Sequence, residues 1–216
     1  MGMLTACSSS SVDVPTAPGP TAIPITNPSF ETPVIAVGAF LTNAAPAGWT
    51  AFGNIDFGSR AIGVLRPATT TLYAVAVPDG NNVGVAFLLD NAGNQALFAN
   101  SPAGLQQTLA ATLQVRTTYT LLVNVGNIAN DVNAPFAFGG FPTYRVDLLA
   151  GGVVVASDNN TLLPGEGQFL LSTVTLTVGA THAQAGLPLA IRLVNLNGAA
   201  GIEVNFDNVR LTATPN

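Results

Sequence analysis

The stretch Ile202-Glu203-Val204-Asn205-Phe206-Asp207-Asn208-Val209-Arg210-Leu211 carries the clearest strand pattern of the chain. Apolar side chains at positions 202, 204 and 206 alternate with polar ones at 203, 205 and 207, which is the period of a strand with one buried face. After Asp207 the alternation slips by one residue, because the next apolar positions are Val209 and Leu211. A slip of one residue is typical of a β-bulge, which redirects a side chain. The stretch therefore predicts a strand that bends at Asp207.

Strand signals recur along the rest of the chain, with turn residues between them. Gly and Pro are frequent, and no segment sustains the periodicity of a helix. Gly151-Gly152 predicts a two-residue hairpin turn. The clearest strand patterns cover residues 72–77, 83–89, 105–113, 119–125, 144–149, 153–156, 169–178 and 189–194. Many short strands of this kind predict an all-β fold, an antiparallel two-sheet β-sandwich of the jelly-roll type.

The composition limits the classes of partner. Charged residues make up only 8% of the chain, against roughly 25% in an ordinary soluble domain. All six basic residues are Arg, and the net charge is −5 at pH 7, so no basic patch for nucleic acid is expected. No run approaches the roughly 18 apolar residues of a transmembrane span. The scarcity of charge also permits copies of the chain to pack closely against one another.

The N-terminal residues 1–22 differ from the rest of the chain. Leu4-Thr5-Ala6-Cys7-Ser8 resembles a bacterial lipobox, in which the Cys is lipidated, and residues 7–20 are rich in Ser and Pro. We therefore expect a flexible arm over residues 1–22 and a jelly-roll domain over residues 23–216, in a protein that is extracellular or at the bacterial cell surface. The arm is either a tether from a lipidated Cys7 or a strand donated to another copy of the chain.

A calcium site is predicted where the two ends of the domain meet. Calcium takes six to eight oxygen ligands from carboxylates, amide side chains and backbone carbonyls. Glu31, Asp207 and Asn208, together with carbonyls of the turn at residues 27–30, match that need. The alternative is an ordinary turn and a surface Asp. The turn Pro78–Asn82 is a candidate for a second ion, although Asp, Gly and Asn are also common turn residues.

Seven short motifs recur in the order known from one enzyme family. They are Asn27–Pro33, Gly48-Trp49, Pro78–Gly84, Gln107-Thr108-Leu109, Gly140–Val146, Leu148–Gly151 and Phe206–Leu211. Over about residues 23–213 the chain resembles the hapalindole-type (Stig) cyclases. The resemblance implies a calcium-binding jelly roll of the carbohydrate-binding-module type. It also implies terpenoid-indole cyclisation in an apolar pocket that holds an acid and aromatic side chains.

The resemblance transfers to this chain only in part. Glu31 and Asp207 match the positions expected to serve calcium, and Phe138 and Phe141 fall where pocket aromatics are expected. Asn205 stands where the acid is expected, and an amide does not donate a proton as a carboxylic acid does. The stretch at residues 83–87 has no Tyr where the cyclases tend to have one. Glu203 is another acid able to project into the same cavity.

Two functions therefore remain open at the level of sequence. The first is a secreted or surface-anchored, calcium-stabilised and non-catalytic protein that assembles a surface layer or fibre, or binds glycan, with Trp49 and Tyr73 as aromatics able to stack on a sugar. The second is a Stig-type cyclase or isomerase that acts on an indole-terpenoid substrate. Because Asn205 replaces the expected acid and the arm is suited to assembly, we expect the first, with no cyclase activity.

Overall fold

Two antiparallel sheets pack face to face, which confirms the predicted all-β jelly-roll sandwich. The computed structural model describes residues 18–68, 71–89, 101–130 and 136–216. Among these residues there is no helical segment with the length and hydrophobicity of a membrane span. The strands are β1 (Thr21–Ile23), β2 (Phe40–Leu41), β3 (Thr50–Phe52), β4 (Arg60–Leu65), β5 (Val83–Leu88), β6 (Ala103–Thr112), β7 (Thr117–Asn127), β8 (Tyr144–Ala150), β9 (Val153–Asn159), β10 (Gln168–Val178), β11 (Pro188–Asn195) and β12 (Glu203–Pro215).

Strand β12 lies in the middle of the larger sheet. The order of that sheet is β10-β7-β12-β5-β4-β2, and the smaller sheet has the order β3-β6-β11-β8-β9. One edge of β12 pairs with β7 along most of its length, whereas the other edge pairs first with β5 and then with β1. Phe206 is opposite Gly84 of β5, and Leu211 is opposite Ile23 of β1. β12 therefore exchanges β5 for β1 as its partner just after Asp207, where the sequence predicts a bend.

The predicted bulge is present in β12. Asp207 is opposite Asn124 of β7, but Arg210 is opposite Leu122, so three steps along β12 correspond to two along β7. Asn208 has a φ of 52°, in the left-handed region that Asn tolerates better than most residues. The extra residue shifts the alternation of side chains by one position, as the sequence pattern indicated.

The main core fills the space between the two sheets. Phe206 is fully buried there, and the rings of Phe30 and Trp49 pack with their centroids 5.2 Å apart. Trp49 donates its Nε1 hydrogen to the carbonyl of Asn27 at 3.1 Å. Trp49 is therefore a core residue that anchors the turn at residues 27–33, and it does not offer its ring to a sugar.

A second apolar cluster covers the outer face of the larger sheet. Its buried members are Ala61, Leu65, Tyr73, Val83, Val85, Phe87, Ile128 and Phe138. The segment 72–77, predicted as a strand, is a loop that packs onto this face. Ala129 N donates to the carbonyl of Leu72, and Ala74 N donates to that of Gly167. The apolar residues of this segment are explained by packing onto the sheet instead of pairing within it.

The other strand predictions are confirmed, but the short strands β2 and β3 and the longer strand β4 were not predicted. The seven remaining predicted strands coincide with β5 to β11. Gly151 and Gly152 connect β8 to β9 with φ values of 59° and 81°, as a two-residue hairpin turn requires. Strand β4 was missed, because all six of its residues are buried and its sequence therefore does not alternate between apolar and polar positions.

The side chain of Gln107 on β6 binds the backbone of Thr26, just before the turn at residues 27–33. Replacing Gln107 tests how much this contact stabilises the fold. Its Nε2 donates to the carbonyl of Thr26 and its Oε1 accepts from the amide of Thr26, both at 2.8 Å. We expect Gln107→Ala to lower the free energy of unfolding in urea by about 1–2 kcal/mol, the usual net value of two such bonds. Thr108→Ala, at the neighbouring exposed position, is the control. A loss no larger than that of the control would contradict this role.

Candidate active site and carboxylate cluster

The outer face of β12 carries Glu203, Asn205 and Asp207 in succession. Glu203 is opposite Phe87 and Asn205 is opposite Val85, and paired residues of an antiparallel ladder share a face of the sheet. Phe87 and Val85 are both members of the second apolar cluster. Glu203 is 1% exposed and Asn205 is 0% exposed. The two polar side chains therefore lie beneath an apolar cover and not in solvent.

Tyr73 reaches Asn205 from the loop that covers the sheet. Its hydroxyl donates to Asn205 Oδ1, and its ring stacks on Phe169 with centroids 4.4 Å apart. Gly126 of β7 is opposite Asn205, and a Cβ at this position would lie 2.9 Å from the Tyr73 hydroxyl. Only glycine leaves room there, so the sequence of β7 makes space for the phenol. This Tyr occupies the site although none is present at residues 83–87.

Glu203 completes a buried chain of hydrogen bonds. Asn205 Nδ2 donates to Glu203 Oε1 at 2.8 Å and, at 3.4 Å, to the carbonyl of Gly84. Burial raises the pKa of Glu203 to about 8, and the hydrogen bond from Asn205 offsets only part of that effect. Burial, with the negative charges of Glu203 and Asp207, also raises the pKa of Tyr73 well above its usual value. Near pH 7 the site therefore contains a neutral carboxylic acid.

Aromatic rings surround these polar groups. Phe87 packs against Phe136 at 5.1 Å between centroids, and Phe136 packs against Phe138 at 6.2 Å. Phe138 thus belongs to the aromatic cover, as the resemblance implies. Phe141 does not, since it packs in the main core, 6.0 Å from Tyr144. Of the two predicted pocket aromatics, only Phe138 faces the outer side of the sheet.

Glu31 is bound by the turn that precedes β5. Its Oε1 accepts hydrogen bonds from the backbone amides of Asn81 and Asn82, at 2.8 and 2.7 Å. Gly80 has a φ of 71°, and a Cβ there would collide with the Glu31 carboxylate. The turn Pro78–Asn82 therefore belongs to the same site as Glu31 and is not the separate second site that the sequence suggested.

Asp207 and Asp79 join this group at the bulge of β12. Asp79 N donates to Asp207 Oδ2 at 2.9 Å, and Asn208 N donates to Asp207 Oδ1 at 2.6 Å. Ser29 Oγ donates to Asp79 Oδ2 at 2.6 Å. We call Glu31, Asp79 and Asp207 the carboxylate cluster. It connects the turn at residues 27–33, the turn before β5 and the last strand.

The carboxylate cluster concentrates negative charge around a buried group. Burial raises the pKa of Asp207 to about 8, and the charges of Asp79 and Glu31 add to that effect, although two backbone hydrogen bonds oppose it. Within the described ranges, no three or more His, Cys, Asp or Glu side chains are arranged to hold a metal ion. Any ion at this cluster would need backbone carbonyls and amide side chains as well, which are ligands that calcium accepts.

A cavity of about 230 Å³ lies between the loop of Tyr73 and the turn that binds Glu31. Tyr73 lines it from the polar network, and Gly80 and Asn81 line it from the turn that holds Glu31. Val75 and Val77 give it apolar walls, and Arg66 provides a cation. The hydrogen-bonded acid and the carboxylate cluster are thus neighbours on one face of the sheet, four residues apart on β12.

Comparison with known proteins identifies the family. The sequence model of HpiC1-like proteins, described as HpiC1 cyclase, matches residues 21–212. The chain belongs to the HpiC1-like cyclases. The match includes β1 to β11 and nearly all of β12, so it covers the outer-face site and the carboxylate cluster alike. The predicted resemblance to the Stig cyclases is confirmed.

Solved structures of Stig cyclases and related cyclases agree with this chain along about nine tenths of its length. The Stig cyclase Fisc from Fischerella sp. TAU, in complex with (3Z)-3-(1-methyl-2-pyrrolidinylidene)-3H-indole, is 36% identical with a TM-score of 0.80, and the match covers 91% of this chain and 99% of that one. A cyclase from Fischerella sp. TAU in complex with 4-(1H-indol-3-yl)butan-2-one is also 36% identical, with a TM-score of 0.80 and coverage of 90% and 98%. No curated protein matches the chain.

Membership of the HpiC1-like cyclases corrects the functional expectation. The prediction of a non-catalytic protein that builds surface layers or fibres, or binds glycan, is wrong, since the family is one of enzymes. Self-assembly and lipoprotein character are likewise unsupported as the role of the chain. Residues 1–17, including Cys7, lie outside the described residues. The domain boundary, the cellular location and association with other copies stay predictions.

The sequence identified part of the site and missed part. It predicted that Glu31 and Asp207 lie close together and that the last strand bends at Asp207, and the structure has both features. It missed Asp79, because the short turn motif gave no sign of its distant partners. It missed the role of Tyr73, whose contact with Asn205 spans 132 positions. The signal available in the sequence was that Tyr73 is the one side chain with a polar group in the apolar segment 72–77.

Proposed function

We propose that this protein is a Stig-type cyclase, an isomerase that closes rings in an indole-terpenoid substrate. The observation that carries the proposal is the buried acid-containing network of Tyr73, Asn205 and Glu203 beneath a cover of aromatic rings. Relatives of 36% identity are cyclases whose structures contain indole compounds. An apolar cavity with a few convergent polar groups and a shifted pKa is the usual form of an active site.

The aromatic cover suits a reaction in which positive charge develops on an apolar skeleton. The faces of Phe and Tyr rings carry partial negative charge and attract cations. Phe138, Phe136 and Phe87 also keep water away, so that a carbocation formed next to them is not captured by solvent. The described residues thus favour rearrangement and ring closure over hydrolysis.

Calcium fits the carboxylate cluster, and we propose that it binds there. Glu31 and Asp207 would hold it, with Asn208 and carbonyls of the turn at residues 27–30 completing the oxygen ligands. The fit is supported by the convergence of three carboxylates from separate chain segments: burial, with a smaller contribution from the charges of Asp79 and Glu31, raises the pKa of Asp207, and a cation would favour its ionised form. When bound, calcium would cross-link the turn at residues 27–33, the turn before β5 and β12. This cross-link would hold the bulge of β12 and its outward side chains in position.

Turnover and a matched pair of aromatic variants test the proposed function. We expect the protein, incubated in calcium with an isonitrile-bearing indole terpenoid, to form a product of unchanged mass and new chromatographic retention. Phe138→Leu should weaken binding of 4-(1H-indol-3-yl)butan-2-one by up to about tenfold, since an aromatic contact contributes about 0.5–1.5 kcal/mol. Phe141→Leu, in the main core, should leave binding unchanged. No isomer above the rate without enzyme, or equal effects of the two variants, would contradict the proposal.

A further inference from the structure

The proton donor of this protein is not at the position that the family resemblance indicates. Asn205 stands there, and its amide has no acidic proton to transfer. Yet ring closure through a carbocation requires that a proton be added to the substrate. The described residues that face the site must therefore supply it from another atom.

The orientation of Asn205 is fixed by its neighbours. The carbonyl of Gly84 accepts only, so the atom of Asn205 that approaches it must be the Nδ2 donor. The same Nδ2 donates to Glu203 Oε1, and Oδ1 accepts from the Tyr73 hydroxyl. Glu203 Oε1 is consequently an acceptor of a hydrogen bond. In a neutral carboxyl group the proton then belongs on the other oxygen, Oε2.

Glu203 Oε2 is buried and has no hydrogen-bond partner among the residues that the structure describes. The whole residue is 1% exposed, so solvent does not satisfy this oxygen either. Buried polar atoms without a partner are rare and unfavourable, and they call for a functional explanation. A ligand atom placed on the outer face of β12 would supply the missing partner.

The other titratable groups that face Glu203 are weaker candidates. Tyr73 comes from the covering loop, but its pKa is raised and its hydrogen is already donated to Asn205. Asp207, further along β12, accepts hydrogen bonds on both oxygens within the carboxylate cluster. The partner residues on β5 and β7 are Phe87, Val85 and Gly126, none of which titrates.

We propose that Glu203 is the general acid of this protein, that its free Oε2 delivers the proton to the substrate, and that Asn205 is the residue that positions it. This inference rests on the proposed function. The O–H bond at Oε2 breaks as a C–H bond forms at an electron-rich carbon of the substrate, and a carbocation and the Glu203 carboxylate remain. After ring closure the cation loses a proton to Oε2. The acid is restored, and no oxidant or other reactant is consumed.

The test compares Glu203→Gln with the control Thr175→Ala, which alters an exposed side chain of β10. Turnover of the indole terpenoid by Glu203→Gln should fall by about 10²–10⁴-fold, the usual contribution of a general acid, while Thr175→Ala stays at the wild-type rate. The double variant Glu203→Gln/Asn205→Asp places a carboxyl group two residues further along the same face of β12. It should recover part of the lost turnover. The wild-type rate should also decline above pH 8, as the acid ionises.

A spectroscopic measurement separates this proposal from the proposed function. Infrared difference spectra of the wild type should show the carbonyl band of a protonated carboxylic acid at pH 7. In calcium chloride, where Asp207 is expected to be ionised, the band should be missing in Glu203→Gln, and in the wild type it should shift when 4-(1H-indol-3-yl)butan-2-one binds. An active wild type with a fully active Glu203→Gln variant overturns the acid role and leaves the cyclase function intact. If the band shifts when the ligand binds but the protein shows no turnover, Glu203 lies in a binding site and the proposed cyclase function is wrong.

Discussion

Calcium is expected to raise the melting temperature of the wild-type protein by about 5–10 °C and to leave that of Asp207→Asn unchanged. A ligand at a hundredfold excess over its Kd that binds only the folded state adds about 2.7 kcal/mol of stability. For a domain of this size each kcal/mol corresponds to roughly 2–4 °C. Asp207 is the buried member of the carboxylate cluster, so its amide variant removes the charge on which the ion depends most.

The comparison is made by calorimetry in calcium chloride and in EDTA. Glu31→Gln should reduce the response to calcium as Asp207→Asn does, because both carboxylates belong to the cluster. Glu166→Gln lies outside the cluster and should keep the full response. In EDTA the Asp207→Asn variant should be less stable than the wild type, since its amide nitrogen cannot accept the backbone hydrogen bond that one carboxyl oxygen of Asp207 accepts. Identical wild-type melting with and without calcium would show that no ion binds.

The calcium-free protein is expected to lose stability as the pH rises from 5 to 8, by roughly 3–4 kcal/mol from Glu203 alone. The pKa of Glu203 is raised from 4.5 to about 8 in the folded chain, and one pKa unit corresponds to about 1.4 kcal/mol. Between these two values the folded state binds more protons than the unfolded state. Stability is therefore fully present below pH 4.5 and is lost as the pH rises through 8. Asp207 adds a change of the same sign in EDTA.

Urea unfolding at pH 5, 6, 7 and 8 in EDTA measures this dependence. The Glu203→Gln variant should show a flatter curve, because its amide does not titrate. In calcium chloride the contribution of Asp207 should reverse, since the ion binds the ionised carboxylate and favours higher pH. A wild-type stability that is constant or rises over this range would show that Glu203 is ionised in the folded protein.

The sequence predicted the features that depend on near neighbours. The alternation in Ile202–Leu211 located the last strand and its bulge, because a strand in a half-buried sheet must present its side chains alternately. The same alternation gave a wrong expectation about the surroundings of Glu203 and Asn205. Polar residues at alternate positions indicate a face in water, but here a loop and several aromatic rings cover that face. Which loop covers a sheet is decided by contacts more than a hundred positions apart, such as that of Tyr73 with Asn205.

The functional error had a different origin. The expectation of no cyclase activity rests on Asn205 at the position of the expected acid, and it assumes that the reacting group occupies one fixed position. In a strand, residues two apart lie on the same face, so Glu203 points to the same side as Asn205. The strand geometry that made the position of Asp207 predictable therefore also allows an acid to be moved by two residues without leaving the site.

The central place of β12 has a consequence for the order in which the molecule can assemble. The strand that β5, β7 and β1 all pair with is made after each of them, so during synthesis the larger sheet has a gap at its centre. Until the last residues leave the ribosome, the open edges of β5 and β7 are free to pair with other chains. Pairing over such long sequence separations is also slow. The interval between synthesis and closure of this gap is the period in which the protein is most exposed to aggregation.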